Sequence, residues 1–145
     1  MRDILVPVSP GELLDKITIL RIKAARISDP DKLRNIEIEL DLLTAIWRDS
    51  GCAVQTDPQV ASALAADERA LAAVNEKLWD IEDRIRERER ADRFDREFIE
   101  LARAVYLSND ERAAIKKRIN VRLGSRIVEE KSYASYRRSV NSAPQ

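Results

Sequence analysis

An all-α fold is predicted: an antiparallel bundle of about five helices with a long central helical hairpin and a short extended N-terminus. Three observations carry that expectation. Ala, Leu, Glu, Arg and Ile dominate a chain with only three Gly and five Pro, a composition that favours helices. Apolar residues recur at steps of three and four through most of the chain. The breaks between these stretches carry helix stop-and-start chemistry. At 145 residues the chain is expected to form one domain over residues 1–136, with residues 137–145 as a flexible tail. That length buries a real core without staples.

Residues 3–8, DILVPV, read as extended, and Pro7 argues against a central strand. Ser9-Pro10-Gly11-Glu12 is a helix start: Ser9 caps, Pro10 takes the first helical position, and Glu12 closes a capping box. The first helix runs to about Ile27 on the stripe Leu13, Ile17, Leu20, Ala24, with Arg21 inside the apolar arc. A charge there needs a partner, a ligand, or a stem that lies on the core while its head reaches water. Asp29-Pro30 restarts the chain into a second helix, to about Ser50, on the stripe Leu33, Ile36, Leu40, Leu43, Trp47. So short a joint makes a helical hairpin. Both helices carry apolar residues off these stripes, Ile19 and Ile22 on the first, Ile38 and Leu42 on the second. Further helices or a second chain must cover them.

Residues 51–57 form the one sizeable loop, and Asp57-Pro58 opens the third helix, whose stripe Leu71, Val74, Leu78, Ile81, Ile85 is the longest in the chain. The stripe fails in residues 82–93, where ten of twelve side chains are charged, five of each sign. A solvated hairpin tip is the expected result. A fourth helix is expected to return over residues 95–107. Ser108-Asn109-Asp110-Glu111 reads as a capping box opening a fifth, which ends at Gly124.

Composition removes several function classes. The chain has no His and a single Cys, so a His-based triad, a zinc site and an internal disulfide are out. No cofactor or metal is expected. No run approaches eighteen apolar residues, and the first ten lack the shape of a signal peptide, so no membrane partner is expected and a cytoplasmic location is. Net charge is zero, but residues 1–111 hold 17 basic and 24 acidic side chains, and residues 112–138 hold nine and two. The basic end is expected to fold back on the acidic helices. Nucleic-acid binding is a poor fit, because the charges circle the helix and no nucleic-acid motif is present.

The most ligand-like line is Asn75, Trp79, Glu82 and Arg86, spaced three and four apart beside the third helix's stripe. The competing reading is a packed Trp and an ordinary helix ion pair. If the fourth helix returns beside the third, Arg103 and Tyr106 lie opposite this line, with Asn109, Arg112 and Lys116 at the rim. With Arg21, these are the candidate ligand-binding residues. Such a cleft suits a small phosphorylated or carboxylated molecule. Asp80, Glu82 and Asp83 could recruit Mg²⁺ as in nucleotide-pyrophosphohydrolase-like bundles, but the paired Glu-Glu and later Glu-x-x-Asp of those enzymes is not found in order.

VPVSPGELLDKITIL, NEKLWDIEDRIR, and FIELARAVYLSNDERAAIKKRIN with EEKSY resemble an uncharacterised bacterial family, domain of unknown function 6165. The resemblance reaches to about Tyr133 and implies a small helical cytoplasmic protein with no assigned activity and no catalytic residues to transfer. Two functions stay open. The first is a non-enzymatic interaction module acting as a homodimer, with Ile19, Ile22, Ile38 and Leu42 as interface candidates. The second is a binder or enzyme for a small anionic molecule.

Overall fold

The computed structural model describes residues 3–136. Among them are four α-helices: α1 (Pro10–Arg26), α2 (Pro30–Asp49), α3 (Pro58–Arg90) and α4 (Arg96–Arg122). The expected tail at residues 137–145 lies outside the described residues. Residues 3–9 carry no regular structure, and Ile4, Leu5 and Val6 are exposed.

The helix starts form at the capping residues the sequence indicates, except that the expected capping box at Ser9 is only half made: the Glu12 carboxylate turns to Lys116 of α4 instead of back to the Ser9 N–H. Ser9 Oγ accepts from the Glu12 N–H, Asp29 Oδ1 from the N–H groups of Asp31 and Lys32, and Asp57 Oδ1 from the Gln59 N–H. Each cap is followed by Pro at the first helical position, where the missing N–H costs nothing. α3 ends in a reciprocal pair of bonds, Arg93 N–H to Arg88 O and Asp92 N–H to Glu89 O, with Asp92 left-handed at φ 55°. α4 ends the same way through Gly124 at φ 63°.

α1 is the central element, packed against all three other helices. That position explains why Leu13, Leu14, Ile17, Leu20 and Ile22 are all buried although they spread around the helix. Ile22, expected at an interface, is therefore covered within the monomer, and Ile19 is half-buried. The main cluster joins Leu14 to Leu64, Leu71 and Val74 of α3 and to Ile115 and Ile119 of α4. α2 touches α1 alone among the helices and reaches the core through Trp47. α3 and α4 pair along their lengths: Arg84 and Arg88 meet Glu97 near the hairpin tip, and Asp67 meets Arg118 and Arg122 at the other end.

The expected break at Ser108 is absent, so one helix, Arg96–Arg122, replaces the two expected and the described count is four. Ser108 sits mid-helix, 1% exposed, with no hydrogen-bond partner for its hydroxyl among the described residues. Its capping box is a local signal, and nothing there breaks a helix. Leu101, Ser108 and Ile115 keep one buried face at heptad spacing, so packing on α3 carries the helix straight through. This gives a test by sign. A capping Ser loses ~1 kcal/mol of stability on replacement by Ala, whereas removing an unpaired buried hydroxyl is neutral or stabilising by up to ~1 kcal/mol. Ser108→Ala should leave the urea midpoint unchanged or raise it.

Candidate functional site

Asp15 is the centre of the polar interior. It lies on the α1 side shared by Thr18, Ile19 and Ile22, and it is 1% exposed. Arg112 of α4 donates from Nε at 3.0 Å to Oδ1 and from Nη2 at 2.6 Å to Oδ2. Asn75 of α3 donates to Asp15 Oδ1 at 2.9 Å and to Thr18 Oγ1 at 3.0 Å. Lys116, one turn beyond Arg112, bonds Glu12 and stands 3.6 Å from Asp15 and 3.4 Å from Glu129. One level further, the Gly11 N–H donates to Asn120 Oδ1 at 2.7 Å. A Cβ on Gly11 would stand 2.5 Å from the Lys116 carbonyl oxygen, so α1 and α4 close up only because this residue is Gly.

Burial works against the charge on Lys116. The hydrogen bond Lys116 donates to Glu12 and the fields of Asp15, Glu12 and Glu129 outweigh it, and the pKa is raised above its ordinary 10.5. Lys116 is thus a fixed cation in the working pH range.

Above this node the surface opens. A cavity of about 420 Å³ is lined by Glu12, Asn109, Arg112, Lys116, Glu129 and Lys131. It shares Asn109 and Lys131 with a larger cleft of about 840 Å³ between α4 and the terminal segment, where Tyr106, Tyr133 and Tyr136 stand. The terminal segment lies along α4 through Lys116–Glu129, Lys117–Glu130 and the Tyr106–Tyr136 ring pair, centroids 5.4 Å apart.

Four of the ten candidate ligand residues, Tyr106, Asn109, Arg112 and Lys116, therefore share one opening, with Asn75 buried beneath it. The other five do not converge. Arg21 pairs with Glu68 at 2.9 Å on the surface. Trp79 is half-buried with the Arg26 guanidinium 5.9 Å from its ring centre. Glu82 and Arg86 form an exposed i,i+4 pair. Arg103 is exposed with no ion pair to a described residue. The expected Arg103–Trp79–Glu82 cleft is thus corrected: the opening faces α1 and the terminal segment. Asp80 is taken by Arg26, and no group of three or more His, Cys, Asp or Glu among the described residues could hold a metal. Sequence reasoning missed Asp15, Glu12, Lys131 and Tyr133. A usable signal existed for Asp15, a carboxylate amid the apolar residues of α1.

A second feature lies on α2. Of its 20 residues only Ile36 is buried, and Ile38, Leu42 and Ile46 are 63%, 48% and 44% exposed in one line.

Fold and site define a small helical-bundle protein with a buried carboxylate–guanidinium node under an open polar cleft. No helix among the described residues is long and apolar enough to cross a membrane. The chain matches the family of unknown function DUF6165 over residues 4–144 and belongs to it. No curated protein and no solved structure matches the chain. The three stretches that carry the family resemblance meet at the node: the first supplies Glu12 and Asp15, the second Asn75, the third Arg112 and Lys116.

Two outcomes test the node. Arg112→Ala should cost ~3 kcal/mol in urea unfolding, because it strands a buried carboxylate. Adding Asp15→Asn to that variant should recover part of the loss, and a double variant less stable than the single one would contradict the assignment. A lysine whose pKa is raised on folding stabilises fully below its unfolded value and loses that contribution as pH rises through the folded value. The stability gap between wild type and Lys116→Met should therefore be constant up to about pH 10 and shrink above it.

Proposed function

We infer that the chain is a non-enzymatic interaction module that works as a homodimer through α2. The observation that carries this is the one-sided attachment of α2. A helix docked on one neighbour buries its inner stripe and shows a polar outer face. α2 instead shows Ile38, Leu42 and Ile46 on the side away from α1. An apolar line of this kind marks a contact surface.

Self-association is favoured over a foreign partner by the symmetry of the line. Ile38 and Ile46 stand four residues either side of Leu42. A second copy laid antiparallel about Leu42 sets each Ile38 on the other copy's Ile46, an isologous contact. Three side chains make a small patch beside the ~800 Å² per partner of a stable interface, so association in the micromolar range is expected. A role in contact fits the engagement of Asp15, Asp67, Arg112 and Arg118 with one another, which leaves them holding the fold.

Sedimentation equilibrium between about 1 and 200 µM should show a reversible dimer with a Kd near ~10 µM. Leu42→Glu puts two like charges at the centre of the contact and should weaken it at least ~10-fold while helicity by circular dichroism stays the same. A chain that stays monomeric through the range, or a Leu42→Glu variant that still dimerises normally, would overturn the reading.

A further inference from the structure

The opening above the node holds more binding capacity than the fold uses. Arg112 spends Nε and Nη2 on Asp15, and among the described residues its Nη1 has only Asn109 Oδ1 at 3.5 Å, the outer limit of a hydrogen bond. Lys116 is anchored from below by Glu12 and Asp15, and from the open side it is met by Glu129 at 3.4 Å. Glu129 is 52% exposed on a segment without regular structure, and exposed ion pairs of that kind are weak. Arg112, Lys116 and Lys131 on the smaller cavity are balanced by Glu12 and Glu129 on its lining and by Asp15 buried beneath it. With Glu129 swung away, one positive charge is left unanswered, so Glu129 occupies the place of a replaceable anion.

The adjoining cleft has a different character. Tyr106 and Tyr133 are 43% and 80% exposed on its walls, and exposed aromatic faces beside a cation suit a flat ring. Asp110 is the carboxylate on that wall. It disfavours a second anionic group there, so the fitting ligand carries negative charge at one end and a neutral ring at the other. Each part of the opening, about 420 and about 840 Å³, is of the size that takes small organic ligands.

We propose that this cleft binds a ring-bearing monophosphate of the nucleoside monophosphate class. The phosphate replaces Glu129 on Lys116 and takes the Nη1 edge of Arg112, while the ring lies against Tyr133 and Tyr106. A charged end and a stacked end bound by separate groups make two independent requirements.

Isothermal titration of the full chain with the four common nucleoside monophosphates tests this, against the parent nucleosides, ribose 5-phosphate and inorganic phosphate. At least one monophosphate should bind with a Kd below about 1 mM, and removing either its ring or its phosphate should weaken binding at least ~10-fold. Glu129→Gln should tighten the same ligand ~3-fold or more by removing the competing carboxylate, and Tyr133→Ala should weaken it ~10-fold. Both side chains are largely exposed, so neither change threatens the fold, which circular dichroism checks. The proposal is overturned if no monophosphate binds wild type or Glu129→Gln at about 10 mM. It is equally overturned if inorganic phosphate binds as well as the nucleotides, which leaves only a charge patch, or if both variants keep the wild-type Kd.

Discussion

A carboxylate with 1% of its surface exposed must be answered inside the protein, and Asp15 of α1 is answered by two other helices at once, α3 and α4. Burying an unpaired charge costs several kcal/mol, so only an arrangement that brings Asn75 and Arg112 to the same point is tolerable. That requirement sets the level of α1 against α3 and α4 in a way that apolar packing, which is non-directional, does not. The Gly11–Asn120 bond fixes the neighbouring level, and the absence of a side chain at Gly11 lets the two helices approach.

A second node repeats the device on the opposite side of α4. Asp67, 6% exposed, receives both Arg118 and Arg122, each through Nε and Nη2. The basic surplus of the C-terminal quarter is largely consumed this way. Arg112 and Lys116 turn to α1, Arg118 and Arg122 to α3, and Lys117 to Glu130. Charges that circle a helix are thus the mark of a helix clamped from several sides. The hairpin tip uses the same chemistry in the open, with Arg84 and Arg88 on Glu97, where each pair contributes little.

The two outward-facing features belong to different parts of this scaffold. The cleft is built from α4, the start of α1 and the terminal segment, on top of the rigid node. The apolar line belongs to α2, which takes no part in either node and touches α1 alone. A ligand held at the one and a second copy held at the other would not compete for the same side chains.

The helix starts were legible in the sequence, because capping is local: Ser9, Asp29 and Asp57 each accept from N–H groups two or three residues on, whatever the rest of the chain does. So were the core stripes of α1 and α3, the charged tip and the folding back of the basic end, since periodicity and charge are written along the chain; the stripe of α2 is buried only at Ile36. The same local rule misled at Ser108, where long-range packing on α3 overrides an equally good capping box. The Arg103–Trp79–Glu82 cleft failed for a related reason. Spacing gives the face of a helix on which a residue lies, but which neighbour that face meets is decided by tertiary packing. The sequence by itself determined the elements and the kinds of side chain available. Only the tertiary structure decided that Asp15, marked in the sequence by nothing more than its place among the apolar residues of α1, is buried. The cost of burying its charge gathers Asn75, Arg112 and Lys116 around one point.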